Sequence, residues 1–133
     1  MLKRIAIVTG IVSLVAVIGL GLLVLRLAGM DHRIKAEQAK ISKVDLLKVA
    51  DGVYSGNYGN FVVSAKVVVA VKAHRIASIT IVDQNCGPGY KALETVDRII
   101  KAQSPKVDVV TGASSSSRTI MIAVYRALKQ RIK

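Results

Sequence analysis

FVVSAKVVVAVKAHRIASITIVD, residues 61–83, holds two runs of alternating side chains joined at Ala73-His74. In the first run Phe61, Val63, Ala65, Val67, Val69 and Val71 alternate with Val62, Ser64, Lys66, Val68, Ala70 and Lys72. A strand turns successive side chains to opposite faces, so one face here is wholly apolar and the other mixed. The second run, Arg75 to Asp83, puts Ile79 and Ile81 on one face and Ile76 and Val82 on the other. Two such runs around a tight connection predict an antiparallel hairpin with one side on a core.

On the N-terminal side, Asp51-Gly52 breaks the preceding pattern, and Val53 to Tyr58 reads as short and turn-like because of Gly56, Asn57, Gly59 and Asn60. On the C-terminal side, Asn85-Cys86-Gly87-Pro88-Gly89 is a loop, since two glycines around a proline continue neither element. Lys91 to Ala102 reads as a helix with Leu93, Val96 and Ile100 inward and Asp97 and Arg98 outward. Ser104-Pro105 ends it. Val107 to Val110 is expected as a short strand. Ser115 to Ile132 is expected as a last helix with Met121, Val124, Tyr125, Leu128 and Ile132 on one face. The order is α+β: a small antiparallel sheet packed with helices.

Far from this pattern, Ile5 to Leu25 contains 21 residues and no charge. As a helix it is roughly 31 Å long, close to the hydrocarbon thickness of a bilayer. Its two polar residues, Thr9 and Ser13, can bond back to helix carbonyls. A cleaved signal peptide has a shorter apolar region and a small-residue cleavage site, and neither fits here. The reading is one N-terminal transmembrane helix within residues 1–29. A basic amphipathic stalk follows over residues 30–50, with Ile34, Ile41, Val44 and Leu47 at helical spacing, a segment that could equally be the first helix of the domain, and the domain proper occupies residues 51–133. Basic residues flank the apolar run on both sides, so charge alone leaves its orientation open.

The chain carries 20 basic and 8 acidic residues; beyond residue 30 the figures are 17 and 8. With an anchor present, anionic lipid is a simpler partner for this charge than nucleic acid, for which no motif is present. The one cysteine, Cys86, permits no internal disulfide. Two histidines show no metal-ligand spacing.

The segment Asp108-Val109-Val110-Thr111-Gly112-Ala113-Ser114-Ser115-Ser116-Ser117 lies just before the last helix. Gly112 lets backbone approach a ligand closely. A helix start offers N–H groups and a positive dipole end to a phosphate. The hydroxyls of Thr111 and of Ser114, Ser115, Ser116 and Ser117 can donate to phosphate oxygens or be esterified by one. The plain alternative is a capped helix after a polar loop, since serine is favoured at helix starts.

These residues bring a resemblance with them. The pieces DGVYSG (51–56), the Val-rich hairpin, PGY (88–90), IIKAQS (99–104) and VDVVTGASSSS (107–117) resemble the FMN-binding domain family. That family includes covalently flavinylated subunits of sodium-pumping NADH:quinone oxidoreductases and of related ferredoxin-linked complexes, and small membrane-anchored flavoproteins. The resemblance implies FMN as cofactor. It implies a phosphoester from FMN to Ser114, with Asp108, Thr111, Gly112 and Ala113 completing the attachment pattern. The family's acceptor is usually threonine; serine offers the same ester chemistry with less crowding, and Ser115 to Ser117 could compete. The Gly87-Pro88-Gly89 loop would lie against the flavin ring. Tyr54, Tyr58 and Tyr90 are open either to stacking on it or to plain packing.

The function implied is electron transfer by a membrane-anchored carrier or oxidoreductase subunit rather than a stand-alone enzyme. Maturation would need a magnesium-dependent FMN transferase that draws on FAD. The partners implied are the membrane and a quinone-linked or other membrane redox donor. The domain is expected outside the cytoplasm at the cell membrane. The competing expectation is a tethered, non-covalent flavin-binding or assembly module without redox turnover.

Overall fold

The computed structural model describes residues 1–133 apart from Pro88, Gly89, Tyr90, Arg131 and Lys133. The chain divides into two compact units, Met1–Arg33 and Ile34–Lys133.

The first unit lies within the long helix α1 (Leu2–Ala39). Every residue from Met1 to Gly29 is exposed, large apolar side chains included. A helix apolar all round needs a protein core or a lipid core around it. This one is long and apolar enough to cross a membrane. Thr9 does bond back, donating from Oγ1 to the Ile5 carbonyl at 2.8 Å.

The second unit is α+β, as expected. β1 (Gly52–Gly59), β2 (Ser64–Lys72) and β3 (Arg75–Asn85) form an antiparallel sheet in the order β1-β2-β3. Two helices complete it: α2 (Glu94–Ala102) and α3 (Ser114–Lys129). α3 packs across β1 and β2. Val67, Val69 and Val71 of β2 meet Ile120, Met121, Val124 and Leu128 of α3 in one buried cluster.

The sequence reading changes at several places. Val53 to Tyr58 is not a turn: β1 pairs with β2 along its whole length, from Gly52↔Val71 to Gly59↔Ser64. Its Gly56 marks close approach instead. A Cβ there would lie 2.1 Å from the Ala123 carbonyl oxygen and 2.7 Å from the Ala127 nitrogen, so α3 sits directly on the strand backbone. β2 starts only at Ser64, and Phe61 lies outside it, 85% exposed.

β3 does not keep the expected faces. Its pairing steps from Ala70↔Ser78 to Val71↔Ile76 and from Lys66↔Asp83 to Val67↔Ile81. Ala77 and Val82 are thus extra residues, and each bulge reverses the alternation beyond it. Ile76 therefore joins Ile79 inside, three residues away, and Val82 faces out.

The hairpin connection holds as read. Ala73 and His74 both take positive φ, 50° and 56°, as two-residue hairpin turns of this hand require. Neither is glycine or asparagine. The Asp51 carboxylate offsets that cost by accepting from the Ala73 N–H at 2.9 Å and the His74 N–H at 3.2 Å.

α2 begins at Glu94, not Lys91, because Ala92 lies at φ 52°. Its buried face is Thr95 and Ile99, while Leu93 is exposed. Gln103 caps it in the left-handed region, and its side-chain amide pairs with both backbone groups of Ile76, at 2.8 Å and 3.0 Å. Val107 to Val110 forms no strand; among the described residues the sheet has three. α3 starts at Ser114 and ends at Lys129, with Ile132 beyond it and partly exposed.

Residues 30–50 are helical only as far as Ala39. The chain then runs to one short turn at Leu46–Lys48, capped by Asp45. Ile34, Ile41, Val44 and Val49 are buried in the second unit, while Leu47 is exposed. The segment expected as a stalk helix thus lends apolar side chains to the core.

Candidate functional site

The approach to α3 is built residue by residue. Val110 to Ala113 makes a tight turn, closed by the Ala113 N–H donating to the Val110 carbonyl at 3.0 Å. Gly112 sits third in it at φ +81°, a conformation that glycine enters without steric cost. A Cβ there would meet nothing within 4 Å, so that side of the backbone is open.

α3 then starts without a conventional cap. Ala113 supplies no side-chain acceptor to the first turn. The first N–H groups of an α-helix have no partner within the helix. The earliest helical bond here runs from the Ser117 N–H to the Ala113 carbonyl at 2.9 Å. Ser114, Ser115 and Ser116 form the turn before it.

A cleft of about 370 Å³ opens at this point, lined by Val63, Gly87, Gly112, Ala113, Ser114, Ser115 and Ser116. Its size falls in the range of small-molecule sites. Ser114 and Ser115 are half-buried, and Ser116 is buried. An open glycine, a helix start without a side-chain cap and three serines in the lining suit the phosphate end of a ligand.

Not all of the expected residues meet there. Ser117 is fully buried, and its hydroxyl is used within the loop, accepting from the Val110 N–H at 3.0 Å and donating to the Ala113 carbonyl at 2.9 Å. Thr111 is exposed on the turn and does not line the cleft. Asp108 lines a separate open hollow of about 980 Å³, together with Gln38, Arg98, Lys101 and Lys106. Gly87 lines the cleft, and Pro88, Gly89 and Tyr90 lie outside the described residues. Tyr54 donates from its hydroxyl to the Ala50 carbonyl at 2.5 Å. Tyr58 carries the Arg126 guanidinium over its ring at 4.7 Å. Both tyrosines pack against the core.

Two residues matter more than the sequence reading allowed. Val63 forms part of the cleft wall. Arg98 donates from Nη1 to the carbonyls of Asp108, at 3.1 Å, and Val109, at 3.0 Å. Its Nε and Nη2 are held by the Glu94 carboxylate at 3.1 Å and 2.7 Å. Arg98 is thus a bracket between α2 and the segment that leads into the glycine turn. The Glu94/Arg98 spacing of four was the available signal, since such pairs meet on a helix face.

Comparison with known proteins accords with this geometry. The FMN-binding domain matches residues 63–129. An uncharacterized protein of Treponema pallidum (strain Nichols) is 32% identical over 102 residues, covering 74% of this chain and 28% of that protein. The chain therefore spans less than a third of that relative. The family match reaches from the cleft wall at Val63 across the glycine turn and the serines to the end of α3, and on it the chain belongs to the FMN-binding domain family, with FMN as its cofactor.

Proposed function

We propose that the chain is a membrane-anchored electron-transfer flavoprotein whose FMN is esterified to Ser114. The observation that carries the reading is the cleft at the start of α3, where Ser114 lies beside Gly112 at a helix start without a side-chain cap. Ser114 and the N–H groups of the first turn would hold the phosphate. Gly112 would let it approach the backbone, and Gly87, which lines the cleft, would flank the ring. When bound, FMN supplies one- and two-electron redox chemistry, and the protein supplies attachment, orientation and electrostatics.

Two of the neighbouring hydroxyls are poorer acceptors than Ser114. Ser117 is engaged on both sides inside the loop, and Ser116 is buried. In the attachment step the Ser114 oxygen forms a bond to the FMN phosphorus of FAD. The bond from that phosphorus to AMP breaks, AMP leaves, and the hydroxyl proton passes to a base of the magnesium-dependent transferase. Asp108 opens on the basic hollow rather than the cleft, which fits recognition by that enzyme better than contact with the cofactor.

The apolar helix within residues 1–29 would hold the domain at the cell membrane, with the domain outside the cytoplasm. A covalent bond keeps the cofactor from being lost where it cannot be resupplied. The tether keeps it near a quinone-linked or other membrane donor. The test is co-expression with the transferase, followed by a denaturing gel. A fluorescent band that Ser114→Ala removes supports the ester. An equally bright band in that variant moves it to another residue.

A further inference from the structure

We infer that Phe61 is the aromatic lid of the flavin cleft, stacking on the isoalloxazine ring of an FMN held at its Ser114 end. The inference rests on the proposed position of the phosphate at Ser114 and adds to it the residue that meets the ring.

Phe61 is the chain's one phenylalanine, there is no tryptophan, and its side chain is 85% exposed. The other described aromatics are committed elsewhere. Tyr54 bonds to Ala50, Tyr58 lies under Arg126, and the Tyr125 hydroxyl meets that of Ser42 at 3.0 Å. Phe61 alone among them is presented to solvent.

Its presentation is built rather than accidental. The turn between β1 and β2 is closed by the Asn60 N–H donating to the Val63 carbonyl at 2.9 Å. The Asn60 side-chain oxygen accepts from the N–H groups of Val62 and Val63 at 2.9 Å and 3.1 Å. Asn85, at the end of β3, donates from its side chain to the Phe61 carbonyl. Two asparagines thus fix the backbone that bears the ring.

That backbone stands at the rim of the cleft. Val63, two residues on, lines it, and so does Gly87, two residues beyond Asn85. The serines line it together with Gly112. A ligand whose phosphate is fixed at the serines would have Val63 and Gly87 as its other neighbours in the cleft, and a ring extending beyond Val63 would meet the Phe61 turn. A flat heteroaromatic ring gains from stacking on an exposed aromatic that would otherwise remain in water.

The experiment uses the full chain in detergent, loaded with FMN by the transferase, with flavin content fixed by absorbance. Fluorescence yield per flavin and visible circular dichroism are compared for the native chain, Phe61→Ala and Phe61→Trp. A stacked tryptophan quenches flavin emission by giving an electron to the excited ring, whereas phenylalanine does not. Phe61→Trp should therefore lower the yield roughly two-fold or more, while Phe61→Ala should leave the yield and weaken the visible dichroism that stacking induces. The substituted side chain is exposed, so the fold is retained. Flavin present with a yield indifferent to Phe61→Trp and a dichroism indifferent to Phe61→Ala overturns the lid alone. A chain that carries no flavin at all overturns the proposed site and the lid together.

Discussion

Ser117 and Val110 are joined by a hydrogen bond of 3.0 Å from the Val110 N–H to the Ser117 hydroxyl, which itself donates to the Ala113 carbonyl at 2.9 Å. One buried side chain thereby closes both ends of the glycine turn. Ser117→Ala should cost about 1–2 kcal/mol, because it removes two internal bonds and strands the Val110 N–H, while the Ala113 carbonyl keeps the Ser117 N–H. Chemical denaturation of the apo chain measures this. Flavin loading should fall as well, since the acceptor turn loses its fixed shape. Unchanged stability and loading would show that the turn holds without this hydroxyl.

Arg98 works on the other side of the same segment. Its Nη1 holds two main-chain carbonyls while Nε and Nη2 hold Glu94, and lysine cannot span both sides in that forked geometry. Both Arg98→Ala and Arg98→Lys should lower the fraction of chains flavinylated in a fixed time, alanine the more. Their melting temperatures should move little, because the pair with Glu94 is largely exposed and such pairs contribute about 0–1 kcal/mol. Loading that tracks stability alone would reduce Arg98 to an ordinary surface contact.

Gly56 sets the distance between β1 and α3. With the Ala123 carbonyl 2.1 Å from any added Cβ, Gly56→Ala has to push the helix off the sheet. Overpacking of this kind costs about 1–3 kcal/mol or more. Urea midpoints of the two chains would show it, and an unchanged midpoint would contradict the close approach.

Asp51 links acid stability to the hairpin. The N–H groups of Ala73, first, and His74 hold its carboxyl below the ordinary aspartate value. A group whose folded pKa is depressed stabilises the fold above its unfolded pKa. That contribution disappears as pH falls through the folded value. Melting temperatures between about pH 5 and pH 2 should therefore fall more steeply for the native chain than for Asp51→Asn. Parallel pH profiles would show that the carboxylate is not what holds this turn.

Much of this was legible in the sequence. Alternation revealed β2 and the hairpin, because one face of a half-buried strand must be apolar. The unbroken apolar run gave the long N-terminal helix by length alone. β1 was hidden because Gly56 signals a turn locally, while its real cause is a helix packed on the strand from far along the chain. The faces of β3 were hidden by two bulges that no alternation pattern records. Val107 to Val110 looked like a strand, yet three of its main-chain groups, the Asp108 and Val109 carbonyls and the Val110 N–H, go to Arg98 and Ser117 side chains rather than to a neighbouring strand. Within the site, Gly112 to Ser116, singled out in the sequence as one run, line a single cleft. The separation of Asp108 and the inward turn of Ser117 depend on loop geometry that adjacency in sequence cannot express.

The most direct measurement is intact mass of the full chain from its native membrane, followed by fragmentation to place any added mass. A chain retaining its N-terminal helix and carrying one FMN less one water on Ser114 is the expected result. An unmodified mass, or the flavin on a different residue, would contradict the ester at Ser114.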